Sequence, residues 1–386
     1  MPFTSFNTVS RVVNEEGCLE ALPEEIGRLG RGGRRILIVG DPGIAAAGIL
    51  DRAESIISGD DLETRVFSDI QSDPPLEDAR ACITFALDYR PDLVVGIGGG
   101  SSLDIAKLTA AMIANPGPID RYVGMERIFH PGPPLILIPT TAGGGSEVTS
   151  LCVLSDRVNR VKKGIVSRHL FARSVLLDSE LTLGLPPRIT AMTGMDALVH
   201  AIESYTGKRA TPLTDALNIA AIRLIGANLR KAYENGDDRQ ARKNMLYASC
   251  MAGMAFSNTQ NALGHALALA VGGRYDLPHG LVAAIISPWV MEFNLTVAPW
   301  KYADIASAMG ENVDGASTDE AAGRSIRAFR ALLDDFGISP RLSAHGIEAE
   351  DFPAIAKAAL GKARLITNNP REATENDVIR LLESNY

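Results

Sequence analysis

Cysteine is scarce. The 386 residues hold four, Cys18, Cys82, Cys152 and Cys250, none in a CxxC pair and each in an apolar context. That excludes a small disulfide-stapled scaffold and leaves them as small buried hydrophobes, the usage of a protein of the reducing cytoplasm. Long apolar runs are missing as well. No uninterrupted stretch reaches the roughly 18 residues of a membrane span, and Met1 to Val13 lacks a basic segment followed by an apolar run of about 7–15 residues. Neither an export signal nor a membrane span is expected. Nor is there an excess of positive charge: 38 Lys and Arg stand against 46 Asp and Glu, a net charge of −8. No basic stripe offsets a sign that repels phosphate backbones, so nucleic acid is not an expected partner. Repeats of about 20–50 residues and low-complexity linkers are also absent.

What is present is the composition of a folded enzyme-sized chain. Hydrophobic residues make up 46% and charged residues 22%, with 36 Gly and 21 Pro to supply turns. At about 100 to 200 residues per domain, two domains are expected. The two halves differ in pattern. Up to about residue 185, short β-rich runs recur: Arg35 to Val39 (RILIV), Asp92 to Ile97 (DLVVGI), Pro134 to Ile138 (PLILI) and Ser174 to Leu177 (SVLL). Such runs read as buried parallel strands. Segments 44–58 and 101–114 have helical apolar spacing between them, so an α/β sheet with crossovers is predicted, its ligand loops at the strands' carboxyl ends. From Pro186 onward, Ala-, Leu- and Met-rich amphipathic segments follow at 190–206, 211–234, 239–257, 261–271, 280–295, 300–309, 317–336 and 350–360. Pro186 and Pro187 suit a boundary. The expected division is an α/β domain over 1–185 and an all-helical domain over 186–386, packed across a cleft.

Two glycine-rich segments follow predicted strands. Gly96-Ile97-Gly98-Gly99-Gly100-Ser101 precedes a helix-like run with Asp104 and Lys107. Glycines let the main chain approach an anion, and a helix N-terminus directs N–H groups at it, which suits a pyrophosphate. The alternative is a tight strand-to-helix turn, and Ser101 stands where the third glycine of G-x-G-x-x-G would be. The second segment, Pro139-Thr140-Thr141-Ala142-Gly143-Gly144-Gly145-Ser146-Glu147-Val148-Thr149, adds hydroxyls to exposed backbone N–H groups, or else forms a flexible hairpin. Asp41, after the first strand in Val39-Gly40-Asp41-Pro42-Gly43, is placed to accept from a ribose 2′-hydroxyl and to repel a 2′-phosphate, or simply opens a turn before Pro-Gly.

Histidine is sparse too, with six in the chain. Asp196 and His200 are spaced i,i+4 in GMDALVH, on one helix face about one turn apart. His265, in GHALA, belongs to a helix-like segment ended by Gly272-Gly273, and His279, in DLPHG, opens the next helical segment after Pro278. Three imidazoles and a carboxylate would suit Fe(II) or Zn(II) with a position left for substrate. The plainer alternative is that these are separate core or surface histidines. Glu203, three residues after His200, is a candidate to orient that ring or a solvated helix residue. His130, His169 and His345 have no comparable neighbours.

At these residues the chain resembles the iron-containing, group III alcohol dehydrogenase family. The likeness runs from the strand before Asp41 through Gly98-Gly99-Gly100-Ser101 with Asp104 and Lys107, PTTAGGGSEVT and GMDALVHAIE to LPHG. It implies the dehydroquinate synthase-like architecture, an N-terminal nucleotide-binding α/β domain and an all-helical C-terminal domain with the active site in the cleft between them. It implies a catalytic metal on Asp196, His200, His265 and His279, and a dinucleotide on Asp41, Gly99, Gly100, Ser101, Thr140, Thr141, Thr149 and Lys162. Three departures stand out. Leu269 occupies the position of a histidine often found four residues after the third ligand, Gly144 replaces a threonine, and Ser257 to His265 differs from the common run before that ligand.

The implied chemistry is hydride transfer between a small alcohol or aldehyde and nicotinamide, with the metal polarising the substrate oxygen. NAD is expected over NADP because of Asp41, Fe(II) or Zn(II) as the metal, and a homo-oligomer, a homodimer, as the assembly. The competing readings are a maleylacetate reductase-like oxidoreductase, a dehydroquinate synthase-like lyase, which would give no net NADH, and a non-catalytic dinucleotide-binding module.

Overall fold

Strands that are apolar on both faces must be covered on both faces, and the chain provides this in a central parallel sheet. The computed structural model describes residues 5–30, 32–57 and 62–386. Its strands are β1 (Val12–Val13), β2 (Arg35–Val39), β3 (Glu63–Phe67), β4 (Leu93–Gly98), β5 (Gly124–Met125), β6 (Leu135–Pro139), β7 (Leu151–Asp156), β8 (Val161–Val166) and β9 (Ser174–Leu176). Six form one sheet in the order β1-β9-β6-β4-β2-β3, every pairing parallel. The helices of this part are α1 (Leu22–Gly30), α2 (Pro42–Ala46), α3 (Ile49–Ile57), α4 (Leu76–Tyr89) and α5 (Gly100–Ile113). Alternate residues share a sheet face. Ile36, Ile38, Val95, Ile97, Ile136 and Ile138 accordingly join Leu22 and Ile26 of α1 and Ala53 of α3 in one buried cluster. Each large aliphatic side chain so buried stabilises the fold by about 1.5–3 kcal/mol.

The strand order places the ligand loops. β2 has β3 on one side and β4 on the other, so the β2-to-β3 and β3-to-β4 crossovers run in opposite directions across the sheet. The carboxyl ends of β2 and β4 therefore form a topological switch point, where α/β sheets bind their ligands. Asp41 follows β2 and Gly99 follows β4 there.

Some local readings change. Segment 44–58 is two helices, because Gly48 takes φ +72° and ends α2 before α3 begins; Ser58 lies outside the described residues, as do Met1 to Thr4 of the leader-free N-terminal reading. β3 (ETRVF) is too polar to read as a buried strand, and it is an edge strand with exposed positions. The second glycine-rich segment is not a hairpin. It leads from β6, in the main sheet, to β7 in a separate sheet of order β5-β8-β7, where β7 and β8 are the antiparallel pair.

The remaining helices are α6 (Pro187–Thr206), α7 (Pro212–Glu234), α8 (Arg239–Thr259), α9 (Leu263–Tyr275), α10 (His279–Leu295), α11 (Pro299–Ala308), α12 (Thr318–Asp335), α13 (Phe352–Leu360), α14 (Ala363–Ile366) and α15 (Glu375–Ser384). Their starts are written locally: Thr211 and Thr214 form a capping box ahead of α7, as do Ser317 and Glu320 ahead of α12. α6 packs against α7, α8 and α10 and is buried without a break from Gly194 to Thr206. It is the core helix of its unit. Tertiary contacts divide the chain into Asn7–Thr141 with Gly145–Leu183, and Gly184–Tyr386 with the short segment Ala142–Gly144. Among the described residues no helix is long and apolar enough to cross a membrane. All four cysteines are buried and none forms a disulfide.

Candidate metal centre

Within the helical unit, the buried face of α6 carries Asp196 and His200. His265 comes from the first turn of α9, and His279 is the first residue of α10, directly after Pro278. The approach of α10 to α6 depends on Gly280: a Cβ there would stand 2.5 Å from the Met192 carbonyl oxygen. One ligand atom from each of Asp196, His200, His265 and His279 lies within 4.8 Å of the others. Asp196 Oδ2 is 3.8 Å from His200 Nδ1, and Asp196 Oδ1 is 3.9 Å from His265 Nε2 and 3.7 Å from His279 Nε2.

These atoms are not satisfying one another. The separations are too long for hydrogen bonds, and His200 Nδ1 and His265 Nε2 are buried with no hydrogen-bond partner. Burial, then the neighbouring His265 and His279, holds His200 well below the usual imidazole range, so its ring stays neutral, the state a ligand needs. The His200 ring stacks on Phe256 at 4.2 Å between centroids. His265 and Asp196 are enclosed, whereas the His279 side chain is 27% exposed, which leaves the cluster open on that side. A divalent ion of borderline softness fits this set of three nitrogens and one carboxylate. Glu203 does not orient His200, as its spacing suggests; it reaches α9 and meets His265 Nδ1 at 2.7 Å. Three residues past His200, it points to a neighbouring helix rather than back along its own.

In the α/β unit the switch-point loops are knitted together by side chains. Asp41 caps α2, Oδ1 accepting from Gly43 N (2.9 Å) and Ile44 N (3.1 Å), while Oδ2 accepts from the Ser102 hydroxyl at 2.7 Å. Its turn-forming role is thus real, and it also ties the β2 loop to α5. Gly99 is the extended residue before α5 and Gly100 its first residue, so the α5 N-terminus opens at this loop. The Ser101 hydroxyl accepts from Asp73 N at 3.1 Å. Thr140 extends the β4–β6 pairing through its N–H to Gly98 O, and its hydroxyl is buried without a partner. Thr141 lies beside Gly99, where a Cβ on the glycine would stand 3.5 Å from its side chain. Thr149 and Lys162 are engaged by protein groups: Thr149 Oγ1 accepts from Lys107, and Lys162 Nζ donates to Asp73 Oδ1 and Ser155 Oγ, both at 2.8 Å. Asp73, at φ +51°, was not legible as a site residue, since its hydrogen bonds join segments far apart in sequence. Glu147, inside the second glycine-rich segment, was given no role there, yet it is buried and its carboxyl is pushed up to about 7 by burial.

Two family models match the chain: iron-containing alcohol dehydrogenase over residues 9–179, and the C-terminal model of the Fe-containing alcohol dehydrogenase family over 190–386. The chain belongs to the iron-containing alcohol dehydrogenase family. A sulfoacetaldehyde reductase of Bilophila wadsworthia (strain 3_1_6) is 42% identical over 381 residues, 98% of each chain. A solved 1,3-propanediol oxidoreductase superposes with a TM-score of 0.96 at 36% identity over 100% of both chains. The structure of sulfoacetaldehyde reductase from Bifidobacterium kashiwanohense in complex with NAD+ gives a TM-score of 0.87 at 25% identity, over 100% of this chain and 99% of that one. As a member of this family the chain is an oxidoreductase that interconverts alcohols and aldehydes.

The departures from the family pattern have structural correlates in this chain. Leu269 packs partly buried against the helical core, so its position carries no titratable group. Gly144 sits beside the cluster, a Cβ there lying 3.9 Å from Asp196 Oδ2, an ordinary contact. In the run before His265, Gln260 adopts φ 74° and ψ 163°, a region essentially reserved for glycine.

Proposed function

We propose that this enzyme is an NAD-preferring reductase of short aldehydes, working with a divalent metal, iron in the native state, held by Asp196, His200, His265 and His279. The observation that carries the reading is the convergence of a carboxylate and three rings from three helices, with two buried imidazole nitrogens left without partners. The relatives named for sulfoacetaldehyde and 1,3-propanediol support a short substrate with a polar substituent.

A divalent ion in this cluster supplies Lewis-acid polarisation of the substrate oxygen, and the nicotinamide supplies the hydride. The chain's own residues prepare both. Burial keeps His200 neutral and available as a donor of electron pairs. Asp196, between the three rings, provides the negative charge that a dication requires. At the switch point, the N–H groups at the start of α5 and the close main-chain approach allowed by Gly99 and Gly100 suit a pyrophosphate. Asp41, held in place by Gly43 N, Ile44 N and Ser102, has carboxylate lone pairs left for a ribose hydroxyl and a charge that opposes a 2′-phosphate. Leu269 cannot pass a proton, so the proton must travel by another route.

The test is NADH consumption by the purified protein with sulfoacetaldehyde, 3-hydroxypropionaldehyde and unsubstituted short aldehydes, after metal removal and readdition of Fe(II) or Zn(II). Turnover that returns with metal and consumes NADH stoichiometrically supports the reading. Full turnover in the stripped protein, or product formation without net NADH loss as a lyase would show, removes it.

A further inference from the structure

Glu203 is buried beside the cluster without belonging to it. Its Oε2 lies 2.7 Å from His265 Nδ1, and the same carboxylate collects the backbone at the start of α9: Ala262 N donates to Oε2 at 2.8 Å, Gly264 N to Oε1 at 2.6 Å and His265 N to Oε2 at 3.4 Å. The residue before α9, Ala262, offers no side-chain cap, so a carboxylate from α6 does the capping from 59 residues away in sequence. Gly264 makes the room, since a Cβ there would lie 2.6 Å from Glu203 Oε1.

From this geometry we infer that Glu203 is the positioning residue of the metal centre, setting the tautomer of His265 and fixing its ring by way of the α9 N-terminus. Both Glu203 oxygens accept backbone N–H groups, so the carboxylate meets Nδ1 as an acceptor and the ring proton sits on Nδ1. The lone pair of Nε2, the buried atom without a partner, is thereby presented to the cluster. The N–H groups and partial positive charge of the α9 end hold the carboxylate still, and the carboxylate in turn fixes the orientation of the ring. The inference rests on the metal reading above.

Glu203→Gln tests it on the full-length protein. An amide facing His265 either donates to Nδ1, which moves the ring proton to Nε2 and removes the lone pair, or accepts from it without charge and leaves Gly264 N facing an NH2 group. Zn(II) affinity is measured on the stripped protein by competition with a chromogenic chelator, the visible spectrum is recorded with Co(II) as a probe of ligand geometry, and the metal-free protein is melted. The expected result is a roughly 10–100-fold weaker Zn(II) affinity and an altered Co(II) spectrum at a temperature where the metal-free variant is fully folded. Simple helix capping would lower the melting temperature and leave affinity and spectrum alone; that outcome overturns the inference. If Glu203→Gln does not fold, Gly264→Ala, which displaces the carboxylate, is judged by the same two readouts. A parent protein that takes up neither ion removes the metal reading and this inference together, whereas equal uptake by parent and variant removes the inference alone.

Discussion

Lys107 Nζ donates to the Ser146 carbonyl oxygen at 2.9 Å, joining the helix after the first glycine-rich loop to the end of the second. The same ammonium reaches Thr149 Oγ1 and the Leu151 carbonyl oxygen and pairs with Asp104 at 2.8 Å, while Asp104 accepts from the Ser146 hydroxyl and from Val153 N. Lys107 is wholly buried. The Asp and Lys of the first motif thus serve as a clamp on the second. Replacing Lys107 with Met leaves the partly buried Asp104 without its cation and two carbonyls without a donor, a loss of about 1–3 kcal/mol. Urea denaturation should show that loss, together with a weaker Kd for NADH in the folded fraction. A variant as stable as the parent would show that the clamp contributes nothing.

Asp41 holds two positions at once, as the cap of α2 and as the acceptor for Ser102. Asp41→Ala should therefore cost about 1 kcal/mol in stability through the lost cap and also lower the ratio of kcat/KM for NAD to that for NADP. Steady-state kinetics with both cofactors decides the second part. If the parent already works better with NADP, the ribose argument for Asp41 fails.

His279 is the most exposed of the four cluster side chains, and its removal should spare the fold. His279→Ala is expected to weaken metal affinity by more than the roughly 10–100-fold seen when a group hydrogen-bonded to a ligand is removed, with the metal-free melting temperature within a few degrees of the parent's. Metal analysis after dialysis and calorimetry of the stripped proteins measure both. Undiminished metal content in the variant would take His279 out of the ligand set.

Glu147 makes stability depend on pH. Its folded carboxyl titrates at about 7 against 4.5 for the free side chain, so between these values the folded state binds more protons than the unfolded one. The contribution is complete below pH 4.5 and is lost as pH rises through 7, on the order of 3 kcal/mol in all. Glu147→Gln, which stays neutral, should flatten this part of the profile. Denaturation midpoints at acid and mildly alkaline pH provide the comparison, and parallel curves for parent and variant would assign the slope to other groups.

Some of this architecture is written in short stretches of sequence. The runs at Arg35, Leu93 and Leu135 announce buried strands because nothing in them pays for exposure to water, and Asp196 and His200 announce a shared helix face because helical geometry fixes neighbours four residues apart. The starts of α7 and α12 are legible for the same reason, their capping groups lying within one turn. β3 was hidden because an edge strand tolerates polar residues, and Gly48 divided a single helical pattern by taking a left-handed conformation that spacing does not reveal.

Sequence by itself therefore determined the most apolar strands, the capped helices, the glycine-rich loops at the strand ends and one side of the four-residue cluster, since all of these follow from backbone rules that act over a few residues. Tertiary structure alone decided that His265 and His279 join Asp196 and His200, that Lys107 clamps the second loop, and that Glu203 serves His265, 62 residues on, instead of His200 on its own helix. Those outcomes depend on how close α9 and α10 come to α6, and that distance is set by side-chain volume, down to the missing Cβ atoms of Gly264 and Gly280.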